Sequence, residues 1–237
     1  KFLMAGKGGM NITHAEAAES FLARYGDRRG RLEPLLAAWG PQAIRAWMAG
    51  LGVDSFVGTS GRVFPTEMKA APLLRAWLHR LRAAGVVFQV RHRWLGWADD
   101  GALRFAATAG EVRYRPAATV LALGGGSWPK LGSTGGWVNI LREYGIPVAD
   151  LQPANCGFDV AWTEFFKSKF DGAPLKSVSV TFNGIQKQGE FIVTREGVEG
   201  SLIYALSAPI RDEIEQNGQA LIALDLAPDW TAEKLIN

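Results

Sequence analysis

The residues best suited to chemistry in this chain are glycines. Residues 124–135 read Gly-Gly-Gly-Ser-Trp-Pro-Lys-Leu-Gly-Ser-Thr-Gly, directly after the continuous apolar run Ala118 to Leu123. A strand, a glycine-rich loop and a helix in that order can cradle a nucleotide. Glycine lets the backbone approach a phosphate, and ligands of doubly wound folds sit at the carboxyl ends of strands. The same glycines also suit two turns that need positive φ. Spacing alone leaves both readings open. A second glycine-rich stretch, Ala-Gly-Lys-Gly-Gly-Met-Asn-Ile-Thr at 5–13, precedes Thr13 and Glu16. That pair has the spacing of a capping box and predicts a helix start. Two such loops together strengthen the case for a phosphate-bearing ligand.

Other catalytic patterns are missing. Asn11 and Pro129 stand where the third glycine of G-x-G-x-x-G would fall. No G-x-x-x-x-G-K-[ST] or G-x-S-x-G occurs. His14, His79 and His92 lack metal-ligand spacing, so no metal site is expected. The single cysteine, Cys156, excludes an internal disulfide and reads as an inert buried thiol. Glu196 and Glu199 could act as acid or base, although a solvated loop explains them as well.

The elements that must position these loops follow from periodicity. A helix carries Ala18, Phe21, Leu22 and Tyr25 and stops at Gly26. Arg28, Arg29 and Arg31 then fall in a basic loop. Pro41 opens a second helix with Ile44, Trp47 and Met48 as its apolar stripe. Leu74, Trp77, Leu78 and Leu81 mark a third helix, closed at Gly85. The period then changes to two. Val86 to Arg91, Trp94 to Ala98, Leu103 to Thr108 and Glu111 to Tyr114 predict a meander of three or four antiparallel strands. Ala118 to Leu123 predicts a strand buried on both faces. A helix with Trp137, Val138 and Leu141 follows. Ser177 to Phe182 and Glu190 to Thr194 predict strands joined through an Asn183-Gly184 turn. Gly200 to Asn217 is helical, kinked or split by Pro209. Leu221 to Leu226 predicts a last strand.

Composition narrows the class. The chain has 237 residues, 48% hydrophobic and 21% charged, which excludes disorder and fits one or two domains. No apolar run reaches the ~20 residues of a membrane span. Residues 1–118 carry 17 basic and 9 acidic residues, a net of +8, whereas 119–237 carry 9 and 14, a net of −5. A basic half suggests an anionic partner, a phosphate-bearing cofactor or nucleic acid. The nine tryptophans could stack bases, but most lie among apolar neighbours and read as core.

Three segments together resemble one family. Lys1-Phe2-Leu3-Met4-Ala5-Gly6-Lys7-Gly8-Gly9-Met10-Asn11-Ile12-Thr13-His14 resembles the K-F-L-x-[SA]-G-x-G-R-C-N-x-T-N block of BaiN-like NAD(P)/FAD-dependent oxidoreductases. Leu121 to Pro129 followed by Gly132-Ser133-Thr134-Gly135 resembles their A-T-G-G-x-S-x-P-x-x-G-S-T-G block. Gly189-Glu190 with Thr194, Gly197 and Gly200 resembles their G-E-x-x-x-T-H-x-G-x-S-G block.

The resemblance implies a bacterial, cytoplasmic α/β flavoprotein. Its fold would be an incomplete FAD/NAD(P)-binding Rossmann-like domain with an antiparallel β-meander, plus an inserted β-barrel-like domain. Residues 1–156 would be the middle of the FAD domain and 157–237 part of the insert. The ends of the chain, Lys1-Phe2-Leu3 and Leu235-Ile236-Asn237, then read as those of an excerpt. The implied cofactor is FAD, possibly with NAD(P)H, and the implied partner is a small organic substrate, with neither nucleic acid nor membrane. The implied FAD residues are Gly6, Gly8, Gly9, Asn11, Gly124, Gly125, Gly126, Ser127, Gly132, Ser133 and Thr134. Trp94 joins them through the backbone of the meander. The family's Arg-Cys falls on Gly9-Met10, its Thr-His on Thr194-Arg195, and its second-to-last Ser on Glu199. These departures imply a substrate of its own. A nucleic-acid module built on the basic half, or a flavoprotein with a non-catalytic role, is the alternative.

Overall fold

The computed structural model describes residues 2–4 and 9–236. They form two compact units. The first holds residues up to 122 together with 128–132, and the second holds 123–127 and everything from 133 onward.

The first unit runs β1 (Thr13–His14), α1 (Ala18–Ala23), α2 (Arg29–Ala38), α3 (Pro41–Ala49), β2 (Ser55–Val57), β3 (Arg62–Pro65), α4 (Ala70–Ala83), β4 (Arg93–Trp97), β5 (Leu103–Ala107) and β6 (Gly110–Tyr114). Its sheets are β1-β3-β2 and β4-β5-β6. Pro41 begins α3 because its fixed φ suits a first helical position and its missing N–H is no loss there. Met48 on α3 and Leu73 on α4 are fully buried and meet Met10 and Ala70. Trp47 and Trp77 pack edge to face across the same two helices, with centroids 5.3 Å apart. The meander has three strands, and its turns fall after Trp97 and Ala107 as alternation predicts.

Several expectations fail in this unit. Thr13 caps nothing. It lies in β1, paired with Val63, and α1 starts at Ala18 without a side-chain cap. Glu16 turns instead to Arg24, whose Nε lies 2.6 Å from its carboxylate. Arg29 and Arg31 belong to α2 rather than to a loop. Arg29 reaches Glu19 through two hydrogen bonds of 2.5 and 2.9 Å. Val86 to Arg91 is irregular, with Val87 and Val90 about three-quarters exposed. Ala118 to Leu123 is likewise irregular, and Val120 is 89% exposed. A run of this kind becomes a buried strand only between two partner strands. Among the described residues none pairs with either run, and every strand pair is antiparallel.

The second unit runs α5 (Trp137–Glu143), β7 (Phe158–Asp159), α6 (Glu164–Phe170), β8 (Pro174–Phe182), β9 (Ile185–Val193), β10 (Gly197–Glu199), α7 (Ser201–Tyr204), α8 (Ser207–Asn217), β11 (Ala223–Asp225) and α9 (Ala232–Ile236). One five-stranded sheet, β11-β8-β9-β10-β7, carries it. Asn183 and Gly184 both take positive φ, which closes the two-residue β8–β9 hairpin. Val178, Val180 and Phe182 alternate along β8 and meet Phe191, Val193, Ile203 and Ile210 in the core. Each fully buried aliphatic or aromatic side chain here contributes roughly 1.5–3 kcal/mol. The helical stretch splits at Ala205-Leu206, ahead of Pro209, which stands in the first turn of α8 where a missing N–H costs little. The last strand is shorter than the apolar run around it: Leu221 and Leu226 lie outside β11 and are exposed.

Candidate functional site

The glycine-rich segment of the second unit is folded back on itself by two side chains. The indole Nε1–H of Trp137 donates to the Gly124 carbonyl at 3.0 Å. The Ser133 hydroxyl donates to the Gly125 carbonyl at 2.8 Å. Gly126 and Gly135 then lie against each other. A Cβ built on Gly126 would stand 3.6 Å from the Gly135 Cα and 3.0 Å from Leu151 Cδ1. A Cβ on Gly135 would come within 2.9 Å of the same Leu151 methyl. Close approach of backbone to backbone is what the glycines supply at these two positions.

Gly124, Gly132 and Gly135 also take positive φ, at 73°, 79° and 66°. These values bear out the turn reading of the loop. Around Gly124 and Gly125, chain neighbours aside, no atom of the described residues lies within 4 Å of where a Cβ would stand. Gly132 closes the 3-10 turn Pro129–Leu131 in the left-handed conformation. Thr134 Oγ1 accepts the Gly136 N–H at 3.3 Å. Ser127 is exposed. The loop thus presents an exposed, glycine-lined stretch of backbone.

The structure places Gly124, Gly125, Gly126, Ser127, Ser133 and Thr134 together in the second unit. Gly9, Asn11, Trp94 and Gly132 belong to the first unit. Gly6 and Gly8 lie outside the described residues. Gly9 has a φ of 115°, and a Cβ there would meet Met68 Cε at 2.6 Å. Met10 beside it is buried, and its N–H donates to the Met68 carbonyl at 3.1 Å. Where the resembling family has Arg-Cys, this chain thus has a glycine under Met68 and a core methionine. Asn11 is exposed. Trp94 sits on β4, an edge strand of the meander. Its indole N–H is buried without a partner among the described residues, and its ring meets Trp97 edge-on at 4.9 Å.

Sequence reasoning missed Trp137 and Leu151. Trp137 reads as one more apolar residue on a helix face, and nothing in spacing reveals that its N–H reaches back to residue 124. Glu196 and Glu199 stay in or beside the β10 hairpin. Gly197 there is buried, and a Cβ on it would collide with the Phe158 carbonyl. Cys156 is half-buried, and burial pushes its thiol above the ordinary range, in keeping with an inert thiol. The Arg24 guanidinium, hydrogen-bonded to Glu16, holds that carboxyl below the usual range. Among the described residues no three His, Cys, Asp or Glu side chains gather as a metal site, and no helix is long and apolar enough to cross a membrane.

The family model described as HI0933-like protein Rossmann domain matches residues 1–206. The chain belongs to that family, whose Rossmann domains are FAD-binding and of oxidoreductase type. No curated protein matches the chain.

Proposed function

We propose that this member of the HI0933-like family is an FAD-dependent oxidoreductase that passes hydride from NAD(P)H to a small organic substrate. Residues 1–156 serve as the middle of its FAD domain and 157–237 as part of an inserted β-rich domain. The observation that carries the reading is the open glycine backbone of 124–126, clasped by Trp137 and Ser133 in a chain of an FAD-binding family. The residues that would hold FAD are Gly124, Gly125, Gly126, Ser127, Gly132, Ser133 and Thr134, with Gly6, Gly8, Gly9 and Asn11 of the first glycine loop and the backbone at Trp94. Bound flavin supplies the hydride chemistry, while the protein binds and orients it. The side chains that replace the Arg-Cys, Thr-His and Ser positions point to a substrate unlike that of the BaiN-like relatives.

A visible absorption spectrum of the purified full-length protein, followed by anaerobic titration with NADH and with NADPH, tests the reading. Flavin bands near stoichiometric occupancy that bleach with one nicotinamide are expected. A colourless protein that gains no flavin bands when FAD is added refutes it. Retained flavin that neither nucleotide reduces refutes the nicotinamide half alone.

A further inference from the structure

We infer that residues 148–154 form a strap that couples the glycine loop to α8, and that Arg211 and Glu215 of α8 are positioning residues for that loop, acting through Leu151. The inference rests on the proposed FAD site only for the identity of the loop's ligand. Residues 149–154 are irregular and exposed, and among the described residues they make no backbone-to-backbone hydrogen bond. Side chains hold them instead, from both ends. At the start, the Arg142 guanidinium of α5 donates to the Val148 carbonyl at 2.8 Å and to the Asp150 carboxylate at 2.6 Å. At the end, three successive residues are tied to α8. The Gln152 amide donates to both carboxylate oxygens of Glu215, each at 3.0 Å. Arg211 Nη1 donates to the Pro153 carbonyl at 2.6 Å. The buried Ser207 hydroxyl stands 2.6 Å from the Ala154 carbonyl, with the Tyr204 carbonyl as its other acceptor at 2.9 Å.

Leu151 lies between the two anchors, one residue from each. Its Cδ1 is the atom against which Gly126 and Gly135 close: a Cβ on those glycines would stand 3.0 and 2.9 Å from it. The far anchor is itself immobile, because Ile210 of α8 is buried with Ile203 and Leu206 against β8 and β9. A segment fixed at both ends has few backbone conformations open to it, and one released at either end regains them. Release of the α8 end therefore frees Leu151, and with it the wall against which the glycine loop is folded. The coupling is reciprocal. A ligand that orders the loop tightens the strap on α8, and a shift of α8 is felt at the loop, although more than 70 residues of sequence separate them.

The test uses full-length protein labelled with 15N-glycine. It reads the amide order parameters of Gly126, Gly135 and, as a control in β9, Gly189, together with the FAD dissociation constant. The variants are Arg211→Ala, Glu215→Ala and Leu151→Ala, with Arg211→Lys and Glu215→Gln as conservative rescues. In the parent, Gly126 and Gly135 should lie near the rigid value of ~0.85. Arg211→Ala and Glu215→Ala should lower both toward ~0.6, leave Gly189 unchanged and weaken FAD binding about three- to tenfold, the loss of one ordinary hydrogen bond. The two conservative variants should restore both readouts. Arg211→Ala added to Leu151→Ala should lower the order little beyond Leu151→Ala alone, since the effect passes through that side chain. Unchanged order at Gly126 and Gly135, fully additive effects in the double variant, or an equal fall at Gly189 overturns the inference, whatever the flavin does. A protein that loses order at these two glycines as expected but binds no FAD upholds the inference and refutes the proposed function.

Discussion

Replacing Gly135 by alanine separates the two things this glycine does. Its φ of 66° is left-handed, and an L-residue held there costs about 1–2 kcal/mol. The new Cβ would also lie 2.9 Å from Leu151 Cδ1. That methyl is the end of a flexible side chain, so it rotates aside for a further ~0.5–1.5 kcal/mol. The expected total is about 1.5–3.5 kcal/mol. Gly132→Ala is the internal control. Its φ is 79°, but, chain neighbours aside, no atom of the described residues lies within 4 Å of the new Cβ, so only the backbone cost of ~1–2 kcal/mol applies. Adding Leu151→Ala to Gly135→Ala should recover the contact part and leave the backbone part, a coupling that a double-mutant cycle isolates. Urea unfolding, compared at constant slope, reads these differences. Thermal midpoints should fall about 2–4 °C per kcal/mol for a chain of this size. A Gly135→Ala protein as stable as Gly132→Ala, or full recovery by Leu151→Ala, would refute the division into strain and contact.

Other perturbations reach the elements around the site. Gly197→Ala places a methyl on the Phe158 carbonyl across the β10–β7 pair and should cost at least ~2 kcal/mol, read as a lower urea midpoint. Ile203→Ala empties a fully buried position of the second core and should cost about 2–5 kcal/mol in the same assay. Glu16 has a folded pKa below its unfolded value because Arg24 hydrogen-bonds its carboxylate. The stability it adds is therefore complete above the ordinary glutamate range and lost as pH falls through the lower folded value. Thermal midpoints of Glu16→Gln should thus match the parent's at low pH and fall short of them near neutrality; identical profiles at all pH values would exclude the pair as a contributor.

Much of the fold is legible from residue order because it is local. Pro41, the Leu74–Leu81 stripe, the meander alternation and the Asn183-Gly184 turn each specify their element through contacts within a few residues, and each forms as read. The glycine loop at 124–135 is also visible in sequence, as is the FAD-binding, oxidoreductase-type character of its family. What the sequence left open depends on partners far along the chain. Ala118 to Leu123 and Val86 to Arg91 have strand composition, yet a strand exists only where another backbone accepts its hydrogen bonds. Thr13 has the spacing of a cap, but pairing with Val63 outcompetes a single side-chain hydrogen bond. Only the tertiary structure assigns Trp137, Ser133 and Leu151 their tasks. It alone brings an indole, a hydroxyl and a methyl onto three glycines up to 25 residues away. Glycine content announces that a backbone is bare; which way its N–H groups face is decided by the side chains that hold its carbonyls.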